Sequence, residues 1–170
     1  MENLKYPIGR FTTPSSYSQN QRQEFIKILR EAPEKFKEAI YSLTEEQLNT
    51  PYREGGWTPK QVIHHVADSH MNSFIRLKLA LTEENPTIMP YDENAWITLS
   101  DSNFDFHSSL KIIEGIHERY VTLLESLNEE QFKRTCFHPE LKINMSVDFL
   151  LALYAWHSQH HLGHIFLVKG

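Results

Sequence analysis

Apolar residues recur at helical spacing in four separate stretches of the chain. In the first stretch, Phe25, Leu29 and Phe36 fall on one side of a helix that spans about residues 18–42. Pro33 lies inside this pattern. Because proline lacks an N–H group and its ring clashes with the preceding turn, we expect it to kink or split the helix.

The second stretch begins with TPKQ at 58–61, which is typical of a helix start. It combines an N-cap threonine, a proline suited to the first helical position and the glutamine of a capping box. This stretch predicts a helix over about 58–82. Similar apolar spacing predicts helices over about 108–126 and 146–168, and no β pattern of comparable length appears.

The four helices predict an all-α fold, a four-helix bundle, in a single domain over residues 18–170. Residues 83–107 contain Pro86 and Pro90 and should form a long crossover loop between the second and third helices. Loops of that length in compact domains are often functional. Residues 1–17 are predicted to form an extended N-terminal arm.

The segment SLTEEQL at 42–48 resembles SLNEEQF at 126–132. Each follows a long helix and precedes a loop and a histidine-bearing helix. The first of them contains TEEQ, a capping box that predicts a short helical turn. The pair indicates a weak internal repeat of two helical hairpins, although so short a match can also arise by chance.

Charge and cysteine content narrow the class of protein. The chain has 170 residues, a net charge of −5 and one cysteine, Cys136. It has no basic block, so we expect neither nucleic acid nor a membrane as a partner. A single cysteine suits a reducing compartment, and neither a signal peptide nor an apolar run of about 18 residues is evident. We therefore expect a cytoplasmic location.

Four of the ten histidines fall in YAWHSQHHLGHI at 154–165. At about 100° per residue, His157, His161 and His164 continue the apolar stripe of the last helix, and His160 lies at its edge. His157 and His161 are one helical turn apart on the same face. This spacing lets two imidazoles bind one metal ion.

Two interpretations of this stripe compete. Its histidines can hydrogen-bond to nearby backbone and side chains, or they can share a metal ion that offsets the cost of burying them. Three histidines on one inward stripe favour the metal. Because two ligands make a weak site, we expect a third from a neighbouring helix.

The second helix offers His64, His65 and His70 within QVIHHVADSH. His70 lies on the apolar face of that helix, so periodicity alone would select it. His65 shares a polar stripe with Asp68 and Asn72. Since a polar stripe can equally line a cleft, periodicity leaves His65 open as an alternative.

Several segments together resemble a known family. They are TPYREGGWTPKQVIHHVADSHMNSFIRLKLALTEE at 50–84, PYDENAW at 90–96 and LYAWHSQHHLGHI at 153–165, with YPIG near the start. They resemble the DinB/YfiT superfamily, and within it the YfiT group of metal-dependent hydrolases. The resemblance covers nearly the whole chain and implies a four-helix bundle that forms a homodimer.

The resemblance also implies a set of metal ligands. The family histidine that follows the GGW motif corresponds to His65, and its HxxxH pair on the last helix corresponds to His157 and His161. The implied cofactor is zinc or nickel, one ion per chain.

Three neutral imidazoles leave a coordination position open, where a metal can lower the pKa of water to about 7. We therefore expect a hydrolase that acts on a small-molecule substrate. Candidate general bases are Asp68 in the second helix and Asp92 and Glu93 in the crossover loop. Tyr154 could hydrogen-bond a substrate. Each of these four can instead be an ordinary surface or core residue.

Two other functions stay open. Related DinB-fold proteins are thiol S-transferases, so the resemblance also allows transfer of a low-molecular-weight thiol of the bacillithiol type. The third possibility is a stress protein that binds a metal or ligand without catalysis. The sequence does not assign roles to His64, His70, His160 and His164.

Overall fold

Four long helices form the body of the molecule, which is described over residues 2–169 by a computed structural model. They are α2 Gln19–Tyr41, α4 Pro59–Thr82, α6 His107–Glu125 and α8 Val147–Lys169. The short elements are α1 Glu2–Lys5, α3 Glu45–Leu48, α5 Glu93–Trp96, a 3-10 turn Ser100–Asn103, α7 Glu129–Lys133, β1 Thr135–His138 and β2 Ile143–Ser146. The predicted all-α four-helix bundle is confirmed. Met1 and Gly170, the ends of the predicted arm and domain, lie outside the described residues.

The long helices are not arranged in simple sequential order. Both α2 and α4 pack against α6 and α8, whereas α2 and α4 contact each other much less. The consecutive helices α2 and α4 therefore lie diagonally across the bundle, and α6 and α8 form the other diagonal. In an up-and-down bundle, by contrast, consecutive helices are neighbours.

The buried apolar side chains form two clusters with a layer of histidines between them. One cluster includes Leu77 and Leu150, and the other includes Ile63 and Ile165. Three helices each contribute one histidine between the clusters: His70, His117 and His157. The polar layer thus lies across the bundle where a fully apolar core would be expected.

Capping boxes begin α3 and α4 where the sequence predicts them. Thr44 accepts a hydrogen bond from the Gln47 backbone in α3, and Thr58 accepts one from Gln61 in α4. The second copy of the short repeat has the same device at α7, where Asn128 takes the capping position. The two seven-residue segments therefore form equivalent capped turns.

Helix α2 is continuous through Pro33, so of the two predicted effects, a kink or a split, the split does not occur. Pro33 has no N–H to donate to the carbonyl of Leu29, four residues earlier. The missing donor comes from another helix, because Nδ1 of His117 lies 2.6 Å from that carbonyl oxygen. A side chain from α6 thus satisfies the backbone group that the proline leaves unpaired.

Two small elements differ from the sequence prediction. The arm is not extended throughout, since α1 forms one helical turn at its start. The sequence also missed the antiparallel hairpin of β1 and β2, in which Cys136 faces Met145. Each strand has four residues, too few for a clear alternating pattern. The hairpin holds the crossover segment through a hydrogen bond from the Phe137 N–H to the Pro86 carbonyl, 2.9 Å long.

An ion pair is buried at the start of α8. The Arg22 guanidinium donates to both oxygens of Asp148, at 2.7 and 2.9 Å, and to Glu129 at 2.5 Å. The Arg22 and Asp148 side chains are only 8% and 7% exposed. This pair fixes the beginning of α8 against α2. Across the described residues, no helix is long and apolar enough to cross a membrane.

Candidate metal centre

Three histidines from two helices bring their Nε2 atoms together. His65 extends from α4, and His157 and His161 extend from successive turns of α8. Nε2 of His157 lies 3.3 Å from Nε2 of His65 and 3.2 Å from Nε2 of His161. All three possible ligand atoms lie within 4.8 Å of one another.

These separations match the requirements of a divalent metal. Nitrogen ligands at 2.0–2.1 Å in tetrahedral geometry are separated from each other by about 3.3 Å. The separations from His157 to His65 and from His157 to His161 match this value, and the third pair lies within 4.8 Å, so the donor set suits a small divalent ion. The structure brings the predicted trio together, and its three nitrogen atoms could hold a metal ion.

Burial keeps these imidazoles neutral. Burial, with smaller contributions from His160 and His164, lowers the pKa of His65 to about 3. The pKa values of His157 and His161 are also held well below the usual 6.5, again chiefly by burial. Because a metal binds the unprotonated nitrogen, neutral rings are ready to act as ligands near pH 7.

The residues before α4 form one wall of the site. The Trp57 ring lies 4.7 Å from the His65 ring, centroid to centroid, and parallel to the His161 ring at 6.4 Å. Since Thr58 caps α4 directly after this tryptophan, the helix start positions Trp57 and His65 together. The GGW motif therefore supplies the aromatic wall of the site.

The N-terminal segment covers the other side. Gly163 of α8 allows this close approach, because a Cβ there would lie 2.8 Å from Cγ of Pro7. The Nε2–H of His164 donates to the carbonyl of Lys5 at 3.2 Å, and the same ring stacks on Tyr52 at 4.0 Å. The arm is thus part of the site.

A cavity of about 360 Å³ opens onto the three histidines. Its walls include the aromatic residues Tyr6, Tyr52, Trp57 and Trp156. The charged side chains in its lining are Lys5, Arg53 and Glu93. A small molecule with an apolar or aromatic part fits this volume and lining.

Among the four predicted acid, base and substrate-contacting residues, Glu93 lies at the site. Its Oε2 is 3.9 Å from Nε2 of His65, and burial together with the charge of Asp92 raises the pKa of Glu93. Asp92 instead caps α5 by accepting from the backbone of Asn94 and Ala95. The crossover therefore delivers one carboxylate to the cavity.

The other two candidates lie outside the cavity lining. Asp68 is half-buried on α4, where burial raises its pKa. Tyr154 is buried in the apolar cluster and packs edge-on against His70 at 5.1 Å. The structure therefore does not bring Asp68 or Tyr154 to the cavity.

His70, which helical periodicity favoured as the third ligand, occupies a different place. It is buried, and its Nε2 lies 3.0 Å from Nδ1 of His157, behind the trio. Its Nδ1 in turn lies 2.8 Å from Nε2 of His117. Sequence reasoning missed His117, although it follows Ile113 by one helical turn on the apolar stripe of α6.

Two further histidines adjoin the trio. His160, His161 and His164 form a second group whose nitrogens could hold a metal. In that group His164 is bonded to Lys5, and Nδ1 of His160 is buried with no hydrogen-bond partner. His160 stacks on Trp156 at 4.4 Å. By contrast, the separate His64 is a satisfied core histidine, bonded to Ser109 and Phe104.

A four-helix bundle with an inward-facing histidine trio is the class that fold and site define. The sequence profile of the DinB superfamily matches residues 28–165, and the chain belongs to that superfamily.

Several bacterial proteins are similar to this chain over nearly its full length. "Putative metal-dependent hydrolase YfiT" of Bacillus subtilis is 50% identical over 164 residues, 96% of this chain and 92% of that protein. A "Putative metal-dependent hydrolase" of Bacillus cereus is 47% identical and covers 97% of this chain and 95% of its own. "Putative metal-dependent hydrolase OB0782" of Oceanobacillus iheyensis is also 47% identical and covers 96% of this chain and 94% of its own.

The solved structure of Bacillus subtilis YfiT aligns with a TM-score of 0.95 at 49% identity. The alignment covers 98% of this chain and 96% of that chain. That protein is described as "a probable metal-dependent hydrolase with an unusual four-helix bundle topology". The diagonal placement of α2 and α4 is consistent with the description.

Proposed function

We propose that this protein is a hydrolase that uses one divalent metal ion held by His65, His157 and His161. The observation that carries the proposal is the closeness of their Nε2 atoms beside a cavity, with that of His157 3.3 Å from His65 and 3.2 Å from His161. A metal on three neutral imidazoles keeps its charge and an open position, and there lowers the pKa of water to about 7. Zinc or nickel suits imidazole ligands better than magnesium or calcium does.

Glu93 is the proposed general base. Glu93 lies beside His65, and its pKa is raised towards pH 7. A general base works best when its pKa is close to the working pH. In hydrolysis it would accept a proton from the attacking water and return it to the leaving group. Glu93 is the first residue of α5 in the crossover, where Asp92 caps the helix.

The proposed substrate is a small molecule with an apolar or aromatic part. The cavity volume lies within the range of ligand pockets, and four aromatic rings line it. Arg53 and Lys5 at its edge would favour a substrate that also carries negative charge. The homodimer implied by the resemblance and the cytoplasmic location expected from the sequence stay predictions.

Hydrolysis tests the proposal directly. Untagged protein loaded with zinc or nickel should cleave p-nitrophenyl esters or p-nitroanilides, and a chelator should abolish the activity. Glu93→Gln should keep the metal but lose turnover. Glu84→Gln, in an exposed residue outside the cavity, should match the wild type.

Two outcomes would overturn the hydrolase assignment. Turnover of monochlorobimane only when a low-molecular-weight thiol is added would indicate thiol transfer instead. A metal-loaded protein that is inactive in both assays but melts at a lower temperature after chelation would indicate a structural metal.

A further inference from the structure

The carbonyl of Leu29 anchors a line of histidines that ends at the metal centre. Pro33 deprives this carbonyl of its helical donor, and Nδ1 of His117 lies 2.6 Å away. A carbonyl oxygen only accepts hydrogen bonds, so the proton must be on Nδ1 of His117. In a neutral ring this leaves Nε2 of His117 as an acceptor.

The same reasoning assigns the proton positions on the next two rings, His70 and His157. Nε2 of His117 faces Nδ1 of His70 at 2.8 Å, so Nδ1 of His70 must carry the proton. Nε2 of His70 is then an acceptor, and it faces Nδ1 of His157 at 3.0 Å. Nδ1 of His157 must therefore be protonated, which leaves an unshared electron pair on its Nε2.

We propose that His117 and His70 are positioning residues that fix His157 in the tautomer whose Nε2 lone pair faces His65 and His161. We call this line of rings, from the Leu29 carbonyl to His157, the long relay. The inference rests on the proposed metal site, and it adds residues that set the state of a ligand without touching the metal.

The surroundings of the long relay keep its rings neutral. His70 and His117 are 3% and 2% exposed, and their hydrogen bonds within the described chain go to each other, to His157 and to the Leu29 carbonyl. No carboxylate takes part in these bonds. A protonated ring would be a buried charge without a counterion, which is costly.

A second, shorter line of hydrogen-bonded histidines ends at His161, the other proposed ligand on α8. Nε2–H of His164 donates to the Lys5 carbonyl at 3.2 Å, so Nδ1 of His164 is an acceptor. It faces Nδ1 of His161 at 3.3 Å. Nδ1 of His161 is therefore the donor, and its Nε2 lone pair also faces the trio. We call this line the short relay.

Both relays therefore produce the same ligand tautomer from independent anchors. Partners that bind the outer nitrogen of a metal-binding histidine orient the ring, and their loss typically weakens metal affinity about 10- to 100-fold. The long relay should contribute in this way, since His157 lies between the other two ligands. Pro33 contributes to this arrangement, because it leaves the Leu29 carbonyl free to accept the hydrogen bond from His117.

The tautomers can be observed directly in zinc-free protein. Long-range ¹H–¹⁵N correlation spectra of histidine-labelled protein above pH 7 should show His117, His70, His157 and His161 protonated at Nδ1. His164 should be protonated at Nε2. Protonation of His157 at Nε2, or of His117 at Nε2, would overturn the proposal.

Zinc affinity, measured by competition with a chelating dye, provides the second test. His117→Leu removes the acceptor for His70 and should weaken zinc binding about 10- to 100-fold. His117→Gln keeps an acceptor and should recover part of the loss. The control His64→Leu removes another buried histidine, bonded to Ser109 and Phe104, and should leave affinity unchanged.

Equal losses in His117→Leu and His64→Leu, or no loss in either, would contradict the proposal. If His117→Leu does not fold, the wild-type spectra still decide it. Neither measurement requires turnover. A wild type that binds zinc with the expected tautomers but hydrolyses nothing would therefore disprove the proposed reaction and leave the relay intact.

Discussion

The two halves of α8 both face inward but bury very different side chains. The first half, residues 147–155, packs Leu150 and Leu151 into an apolar cluster and fixes its start by the Asp148–Arg22 pair. The second half, residues 156–166, buries His160, His161 and His164 and partly buries His157. Two of its imidazoles, those of His157 and His161, bring their Nε2 atoms close to Nε2 of His65 or of each other.

The difference separates a region that stabilises the fold from one that assembles a site. Burying leucine contributes roughly 1.5–3 kcal/mol for each side chain, whereas burying imidazole is favourable only when its nitrogens are bonded. Regions where local preferences conflict with packing tend to be functional. We therefore expect changes in the second half to affect metal binding first, and changes in the first half to affect stability first.

The largest effect should follow removal of a ligand from the second half. His157→Ala or His161→Ala should abolish zinc retention, a greater loss than the about 100-fold cost of losing a supporting residue. The metal-free variant should fold about as well as the metal-free wild type. Zinc competition and urea denaturation in chelator measure the two quantities. Full occupancy in the double variant would refute the ligand assignment.

The first half should respond in the opposite way. Asp148→Ala leaves the buried Arg22 guanidinium without its main partner and should lower the free energy of unfolding by about 3–5 kcal/mol. Glu129→Gln, which alters only the exposed partner of Arg22, should cost at most about 1 kcal/mol. Urea denaturation measures both. Zinc affinity of folded Asp148→Ala should be unchanged, and a large drop would break the distinction between the halves.

Acid should destabilise the metal-free protein through its histidine layer. Burial lowers the pKa of His117 to about 4, partly offset by its bond to the Leu29 carbonyl. In the unfolded chain the pKa of His117 is near 6.5. Between about pH 6.5 and 4, His117 therefore binds a proton in the unfolded chain but not in the folded protein. Stability is complete above this window and falls through it by about 1.4 kcal/mol per pH unit for each such group.

Denaturation across this pH range in chelator checks the prediction. His117→Gln should show a slope smaller by about one proton. The charged side chains that line the same pocket as His117 are present in both proteins, among them Arg30 and Glu34 on α2 and Glu114 and Glu118 on α6. Identical slopes would mean that His117 is not held neutral by burial.

The smallest effect is expected at Pro33. In Pro33→Ala, the new N–H competes with His117 for the Leu29 carbonyl, but that oxygen has two lone pairs and can accept both bonds. Zinc affinity should fall less than about 10-fold. Pro59→Ala is the control, because a proline at the first helical position leaves no carbonyl unpaired. A larger loss in Pro59→Ala would remove the link between Pro33 and the metal centre.

Local patterns in the sequence predicted most of the fold. Apolar spacing and the capping sequences gave the four long helices to within one or two residues, because both signals act within a few turns. The β1–β2 hairpin escaped because its strands are too short for periodicity. Continuity through Pro33 depends on His117 from another helix, which no local pattern contains.

The candidate site was predicted less evenly. Helical spacing placed His157 and His161 on one face, but it could not separate His65 from His70, since both are buried. Their different roles depend on how α4 is rotated against α8. The family resemblance indicated His65, and the structure places His65 in the trio and His70 behind it. Their assignment as ligands stays a prediction.

Elemental analysis of untagged protein, purified without added metal or chelator, would show directly whether the three histidines hold a metal ion. We predict about one zinc or nickel ion per chain, lost in His65→Ala and kept in His70→Gln, whose amide can still accept from His157. A wild type that contains no metal and takes up neither zinc nor nickel would contradict it. Loss in His70→Gln with retention in His65→Ala would show that the wrong histidine of α4 has been assigned.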